Sequence, residues 1–195
     1  MKVQLVRRSE IRERVWGQSF GIATDLWNYP DASSSKIYLG LATIEKETCD
    51  YSEFPNKDRV QLLLDGQISL CWGESQHHLT AECRVARFPG DVPTRCHVER
   101  WPARVLNVIH DRTIAVGDPT FVPRTEVQLA QASKMSIDVL LAWQSDAKIS
   151  CAAFGDWSLF PGDALIFSRS GTSTVKLQIE SNVPVLHIPI SVETH

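Results

Sequence analysis

The tetrapeptide Phe88-Pro89-Gly90-Asp91 returns later in the chain as Phe160-Pro161-Gly162-Asp163. Upstream of the first copy stands Ile68-Ser69-Leu70-Cys71, and upstream of the second Ile149-Ser150-Cys151, each in a strand-like context. Proline presets φ, glycine accepts a left-handed backbone and aspartate bonds back to nearby amides, so Pro-Gly-Asp is a natural turn. The order strand, turn, strand, Pro-Gly-Asp turn, strand therefore occurs twice. Repeated supersecondary units bury a continuous shared core, and 195 residues suffice for two of them.

Between turn residues, short runs rich in Val, Ile, Leu and aromatics recur over residues 37–44, 59–64, 68–72, 104–109, 137–143, 164–167, 175–179 and 185–190. Helical spacing is scarce; residues 9–15 and 127–135 are its better candidates. Asp65-Gly66 between two apolar runs reads as a hairpin, because both residues tolerate positive φ. The expected class is all-β with few short helices.

The formal net charge of −3 and pI near 6.1 supply no basic field for a phosphate backbone, so nucleic acid is not an expected partner. The opening residues, Met1 to Arg8, become charged before an apolar run could serve as a signal-peptide core. No later segment approaches membrane-spanning length, and the expected location is the cytoplasm, without membrane association. Five cysteines with no C-x-x-C pair fit neither a disulfide framework nor a thiolate zinc site; they read as reduced, mostly buried thiols.

The stretch Tyr51-Ser52-Glu53-Phe54-Pro55-Asn56-Lys57-Asp58-Arg59, followed by Leu62-Leu63-Leu64-Asp65-Gly66, resembles the HutD/Ves family pattern F-S-x-F-P-G-x-D-R with its Leu-rich strand and Gly. Phe88-Pro89-Gly90-Asp91 with Leu106-Asn107-Val108-Ile109 and Arg112 resembles that family's F-x-G-D and the Leu-Asn run ending in Arg. The resemblance covers residues 14–112 in motif and the rest only in pattern. It implies a bicupin, two jelly-roll cupin-type barrels in one chain. The division expected is residues 1–112 for the barrel carrying the motifs and 113–195 for the second. Two departures stand out: Trp16-Gly17-Gln18-Ser19-Phe20-Gly21 replaces the family's W-K-N-G-G-G, and Ile37-Tyr38-Leu39-Gly40 replaces W-R-L-S.

Metal-binding cupins carry G-x5-H-x-H-x3-4-E-x6-G. Arg59 to Gly66 keeps the final spacing with arginine in the carboxylate position, Ser52 and Phe54 (or Glu53 and Pro55) fall at the two His positions, and counting onward puts Trp101 at the last. A guanidinium cannot ligate a cation and repels it, so neither metal nor other cofactor is expected. A planar arginine fork favours bidentate pairing with a carboxylate, which makes a small acidic metabolite the expected partner. The alternative is that Arg59 pairs internally with Asp58, Glu53 or Asp91.

The candidate ligand-binding residues are Trp16, Ser52, Arg59, Asn107, His110 and Arg112; no catalytic set is assigned. Imidazole is the side chain suited to proton transfer near neutral pH, which makes His110 the candidate general base should the chain be a metal-independent isomerase or lyase, with Asp58 as the other proton carrier. His77-His78 reads as an exposed hairpin tip, and His97 and His187 as structural. The second unit has few polar residues within its strand runs and reads as a barrel filled by hydrophobes. What the family resemblance implies is a non-catalytic, regulatory binding protein in or near histidine catabolism, monomeric or homodimeric.

Overall fold

The computed structural model describes residues 1–31, 35–123, 126–129, 135–170 and 174–192. The chain divides into two compact units: one is Ile11–Arg112, and the other joins Met1–Glu10 to Thr113–His195. Among the described residues the secondary structure is all-β apart from a single 3-10 turn at Arg8–Glu10.

The opening strand is β1 (Lys2–Val6). The Ile11–Arg112 unit follows with β2 (Arg14–Trp16), β3 (Gly21–Tyr29), β4 (Ile37–Ile44), β5 (Thr48–Asp50), β6 (Lys57–Trp72), β7 (Ser75–Leu79), β8 (Val85–Pro89) and β9 (Thr94–Asp111). They form one antiparallel sheet in the order β2-β3-β4-β9-β6-β7, with β5 added to β9 and β8 to β6. Alternation sends Leu63, Val105 and Ala103 into an apolar cluster with Ile44, Ile68, Leu70 and Phe88.

The strand β6 runs straight through Asp65-Gly66, where a hairpin was expected. The register against β9 slips there instead, between Leu63 and Asp65 and again before Ile68. Gly66 has φ of 86°, and a Cβ on it would lie 2.2 Å from the Pro102 carbonyl oxygen. The same conformational freedom that builds a hairpin here builds a bulge, because the strand's partner lies far along the chain. The hairpin of this stretch falls at Gly73-Glu74, where Trp72 pairs with Ser75.

The second unit contains β1 with β10 (Ile114–Val116), β11 (Thr120–Val122), β12 (Glu126–Leu129), β13 (Met135–Leu141), β14 (Ala147–Cys151), β15 (Gly155–Leu159), β16 (Ala164–Arg169), β17 (Val175–Ser181) and β18 (Val185–Val192). One sheet has the order β1-β16-β13-β18-β10 with β11 on β18; the other is β12-β17-β14-β15. Leu140, Leu165 and Phe167 of the first pack with Ile149, Leu177 and Ile179 of the second.

Of the two helical expectations only the 3-10 turn at Arg8–Glu10 touches the first, and the described part of the second is strand. Residues 14–16 are the strand β2 and Val127 pairs with Leu177, so sheet partners override the local apolar spacing; residues 130–134 lie outside the described residues. Nor is the interior of this unit purely apolar. Asp138 and Arg169 are 4% exposed and joined at 2.6 Å, and His187 Nε2 lies 2.9 Å from the other oxygen of Asp138. Three strands, β13, β16 and β18, each contribute one member, which no single strand run reveals.

Both Pro-Gly-Asp turns lead from one strand to the next, but their glycines serve different needs. Gly162 has φ of 91°; at Gly90 a Cβ would come within 2.9 Å of the Lys57 carbonyl oxygen. Each aspartate takes an arginine. Asp163 accepts from Arg7 at 2.6 Å and from the amides of Arg8 and Phe160, and both oxygens of Asp91 accept from Arg112 Nη2, at 2.7 and 2.8 Å.

Candidate functional site

On one face of the Ile11–Arg112 sheet lies a cavity of about 150 Å³. Register explains its lining. Arg14 pairs with Ala23, Ala23 with Ala42, Ala42 with Val105, and Tyr38 with Ile109, which pairs in turn with Arg59. Every second residue of each strand faces the same side, so β9 contributes Val105, Asn107 and Ile109. The small side chains of Ala23 and Ala42 leave the space. The wall opposite comes from Trp16 and from the loop bearing Tyr51, Ser52 and Phe54.

That loop is built by the motif residues. Phe54 N–H donates to the Gly90 carbonyl at 2.7 Å, Gly90 N–H to Lys57 at 2.7 Å and Lys57 N–H to Phe54 at 3.2 Å, tying the loop to the first Pro-Gly-Asp turn. Asn56 stands where the family pattern has glycine and holds φ of 62°. Asparagine is among the few side chains that enter this left-handed region readily, which is why the departure preserves the turn.

Arg59 is 6% exposed. Its guanidinium carbon lies 4.9 Å from the Tyr51 ring centre, 5.3 Å from Phe54 and 5.4 Å from Phe88, and Nη2 donates to the Ser52 carbonyl at 3.1 Å. Its Nε has no hydrogen-bond partner, and among the described residues no carboxylate pairs with it. Burial pushes this guanidinium below its ordinary value, with the Tyr51 and Tyr38 hydroxyls acting the other way. Aromatic faces stabilise a cation by about 0.5–2 kcal/mol each, less than the several kcal/mol that desolvating a charge costs. Beside it, Asn107 Oδ1 and Gln61 Oε1 are buried acceptors with no donor, while Gln61 Nε2 donates to the Tyr51 hydroxyl at 2.8 Å.

Of the six candidate residues, Trp16, Ser52, Arg59 and Asn107 line the cavity. His110 and Arg112 do not. His110 is out of phase with Asn107 and Ile109 on β9, pairs across to Asp58, and has Nδ1 3.0 Å from the Asp111 carbonyl. Arg112 lies past the end of β9 and holds Asp58 and Asp91. Trp101, the residue that counting puts at a fourth cupin ligand position, is 49% exposed and outside the cavity, because β9 extends beyond it. His77 and His78 are in β7 rather than at its tip. The His77 ring stacks on Trp72, and His78 Nδ1 lies 2.9 Å from both Ser69 and Glu99.

Two lining residues, Arg14 and Tyr38, carry no signal strong enough to be chosen from sequence, whereas Tyr51 stands at the first aromatic position of the motif stretch. Tyr38 occupies the position of the family's arginine. Its hydroxyl donates to Asp25 at 2.6 Å, and Arg14 grips the same carboxylate at 2.8 and 2.9 Å. Burial and the Asp25 bond push the Tyr38 hydroxyl well above its ordinary value, so it stays a neutral donor. The cavity thus presents guanidinium, amide, hydroxyl and backbone groups. The cation-ligating set of metal-binding cupins does not fit here, since neither imidazole nor carboxylate lines the space. Cys49, Cys96 and Cys151 are buried thiols, whereas Cys71 and Cys83 are exposed.

An all-β chain with an arginine-floored cavity on one sheet face shares the cupin fold, without the imidazole and carboxylate ligands of metal-binding cupins among the residues lining that cavity. The chain belongs to the HutD family, whose pattern matches residues 8–185. It is similar to PA5104 from Pseudomonas aeruginosa PAO1, a conserved protein of unknown function, with 18% identity, a TM-score of 0.81 and full coverage of both chains. HutD from Pseudomonas fluorescens SBW25 follows with 17% identity, a TM-score of 0.77, and coverage of 99% of this chain and 100% of that one. An oxalate decarboxylase variant from Bacillus subtilis shares the fold at 8% identity and a TM-score of 0.66, over 98% of this chain and 77% of that one. A search of curated proteins finds no match. No helix among the described residues is long and apolar enough to cross a membrane.

Proposed function

We propose that this protein is a non-catalytic receptor for a small carboxylate, bound in the Ile11–Arg112 cavity, and that its two units are two cupin-type barrels. One observation carries the binding assignment: Arg59 is buried against three aromatic rings, and no carboxylate among the described residues neutralises it. A bound carboxylate would supply the missing partner through charge-assisted bonds, and a ligand N–H or O–H would satisfy Asn107 Oδ1. An engineered cavity of about the same volume holds benzene, so the ligand, or the part of it that enters, is on the order of six to ten heavy atoms.

Catalysis finds less support. Asp58 is engaged by Arg112, and His110 is turned away from the cavity, so neither proton carrier reaches a bound acid. Membership of the HutD family supports a regulatory role in or near histidine catabolism, in the cytoplasm, through sensing of an acidic intermediate. A thermal-shift screen of small carboxylates tests the proposal. A ligand at 100 times its dissociation constant stabilises by about 2.7 kcal/mol, whereas uncharged amides of the same acids should leave the melting temperature unmoved.

A further inference from the structure

Cys49 and Cys96 stand directly opposite each other across the β5–β9 pair. Two residues to one side, Tyr51 N–H donates to the Thr94 carbonyl at 2.8 Å; two residues to the other, Val98 N–H donates to Glu47 at 2.8 Å. Ladder bonds alternate with period two, so Cys49 and Cys96 are themselves a hydrogen-bonded pair. Such pairs hold their Cα atoms about 5.5 Å apart, inside the 4.4–6.8 Å that a disulfide spans. Both thiols point into the same apolar cluster, 2% and 0% exposed.

The partner of this pair is the cavity wall. Tyr51 packs against the same apolar cluster as both thiols, and its hydroxyl receives Gln61 Nε2; its ring centre lies 4.9 Å from the Arg59 guanidinium carbon and meets Trp16 edge-on at 5.9 Å. We propose that Cys49 and Cys96 form an oxidant-responsive dithiol that closes to a disulfide and, through Tyr51, reshapes the cavity floored by Arg59. This chemistry does not depend on what the cavity binds.

Hydrogen peroxide is a sufficient oxidant. The Cys96 sulfur attacks one peroxide oxygen, the O–O bond breaks, and the departing hydroxide takes the thiol proton to leave as water. The Cys49 sulfur then attacks the sulfenic acid sulfur; the S–O bond breaks, the S–S bond forms, and a second water leaves with the Cys49 proton. Two thiols lose two electrons and one peroxide gains them. The neighbouring Cys49 thiol lowers Cys96 against the upward push of burial and is itself pushed up, which favours Cys96 as the first nucleophile. Access comes through β5, a three-residue strand paired on one side only, whose local opening costs little.

The test uses the full chain with Cys71→Ser and Cys83→Ser, which removes the exposed thiols. After peroxide treatment, denaturing alkylation and peptide mass mapping should find Cys49 and Cys96 linked, two hydrogens lighter than the free pair, and released by dithiothreitol. Emission from Trp16, isolated as the difference from Trp16→Phe, should shift on oxidation and return on reduction. Cys49→Ala on the edge strand, or Cys96→Ser if that folds better, should abolish both signals. Full alkylation of both thiols after peroxide, or linkage of either to Cys151, overturns the disulfide. A disulfide that leaves Trp16 emission unchanged overturns the coupling to the cavity.

Discussion

Asp58 gives its carboxylate to Arg112, 3.2 Å away, and not to Arg59, its neighbour in sequence. Adjacent strand residues face opposite sides of the sheet, so Asp58 and Arg59 cannot meet. Nη2 of Arg112 also donates to both oxygens of Asp91, which removes the second carboxylate with which Arg59 could have paired. Strand geometry and Arg112 thus account for two of the three carboxylates with which Arg59 could have paired. Arg112→Ala should leave the cavity intact, since the three charges it links are all substantially exposed. Urea unfolding should show a midpoint close to the parent's, with any difference shrinking as salt is raised. A large, salt-independent loss would show that Arg112 supports the site itself.

The opposite outcome is expected for Arg169→Ala. Its partner Asp138 is 4% exposed, and removing the guanidinium leaves this buried carboxylate with His187 alone beside it, at a cost of up to about 3–5 kcal/mol. Chemical denaturation measures this directly. Ligand affinity of whatever fraction remains folded should be unchanged.

Gly66→Ala places a methyl group against the Pro102 and Arg100 carbonyls at a φ of 86°. Strain from the left-handed backbone alone costs about 1–2 kcal/mol, and the close contact adds to it. A loss in the urea midpoint is expected; a neutral result would mean that β6 straightens without the bulge.

Much of the fold was legible. Short apolar runs bounded by turn residues marked β4, β6, β9, β13, β16, β17 and β18 but not β3 or the short strands, and the Pro-Gly-Asp echo marked two real strand connections. Asp65-Gly66 was misread because a hairpin and a bulge need the same backbone freedom, and only the partner strand distinguishes them. In the site, Arg59, Ser52, Asn107 and Trp16 were visible because motif spacing pointed to them. Tyr38 and Arg14 were not, since they reach the cavity through the register of β2, β3 and β4. The Asp138, Arg169 and His187 cluster was hidden for the same reason.

The Arg14, Asp25 and Tyr38 contact makes a pH prediction. Burial raises the Asp25 carboxyl, but the bonds from Arg14 and Tyr38 outweigh it and hold it below its ordinary value. A carboxyl depressed on folding contributes stability above its unfolded value and loses it as pH falls through the folded one. The melting-temperature difference between the parent and Asp25→Asn should therefore be full at neutral pH and shrink in acid, below the ordinary carboxylate range. A difference that persists unchanged at pH near 2 would remove this contact from the acid response.

Calorimetric titration of a carboxylate found by thermal shift, into the parent and into Arg59→Met, tests most directly whether Arg59 is the anion receptor. Methionine keeps the apolar volume between Tyr51, Phe54 and Phe88 while removing the charge, so the variant should fold with equal or greater stability. Loss of a charge-assisted contact of about 1.5–3 kcal/mol predicts a dissociation constant roughly ten- to a hundredfold weaker. Binding as tight in Arg59→Met as in the parent, or unfolding of both Arg59→Met and Arg59→Ala, would contradict the assignment and make the buried guanidinium a structural element.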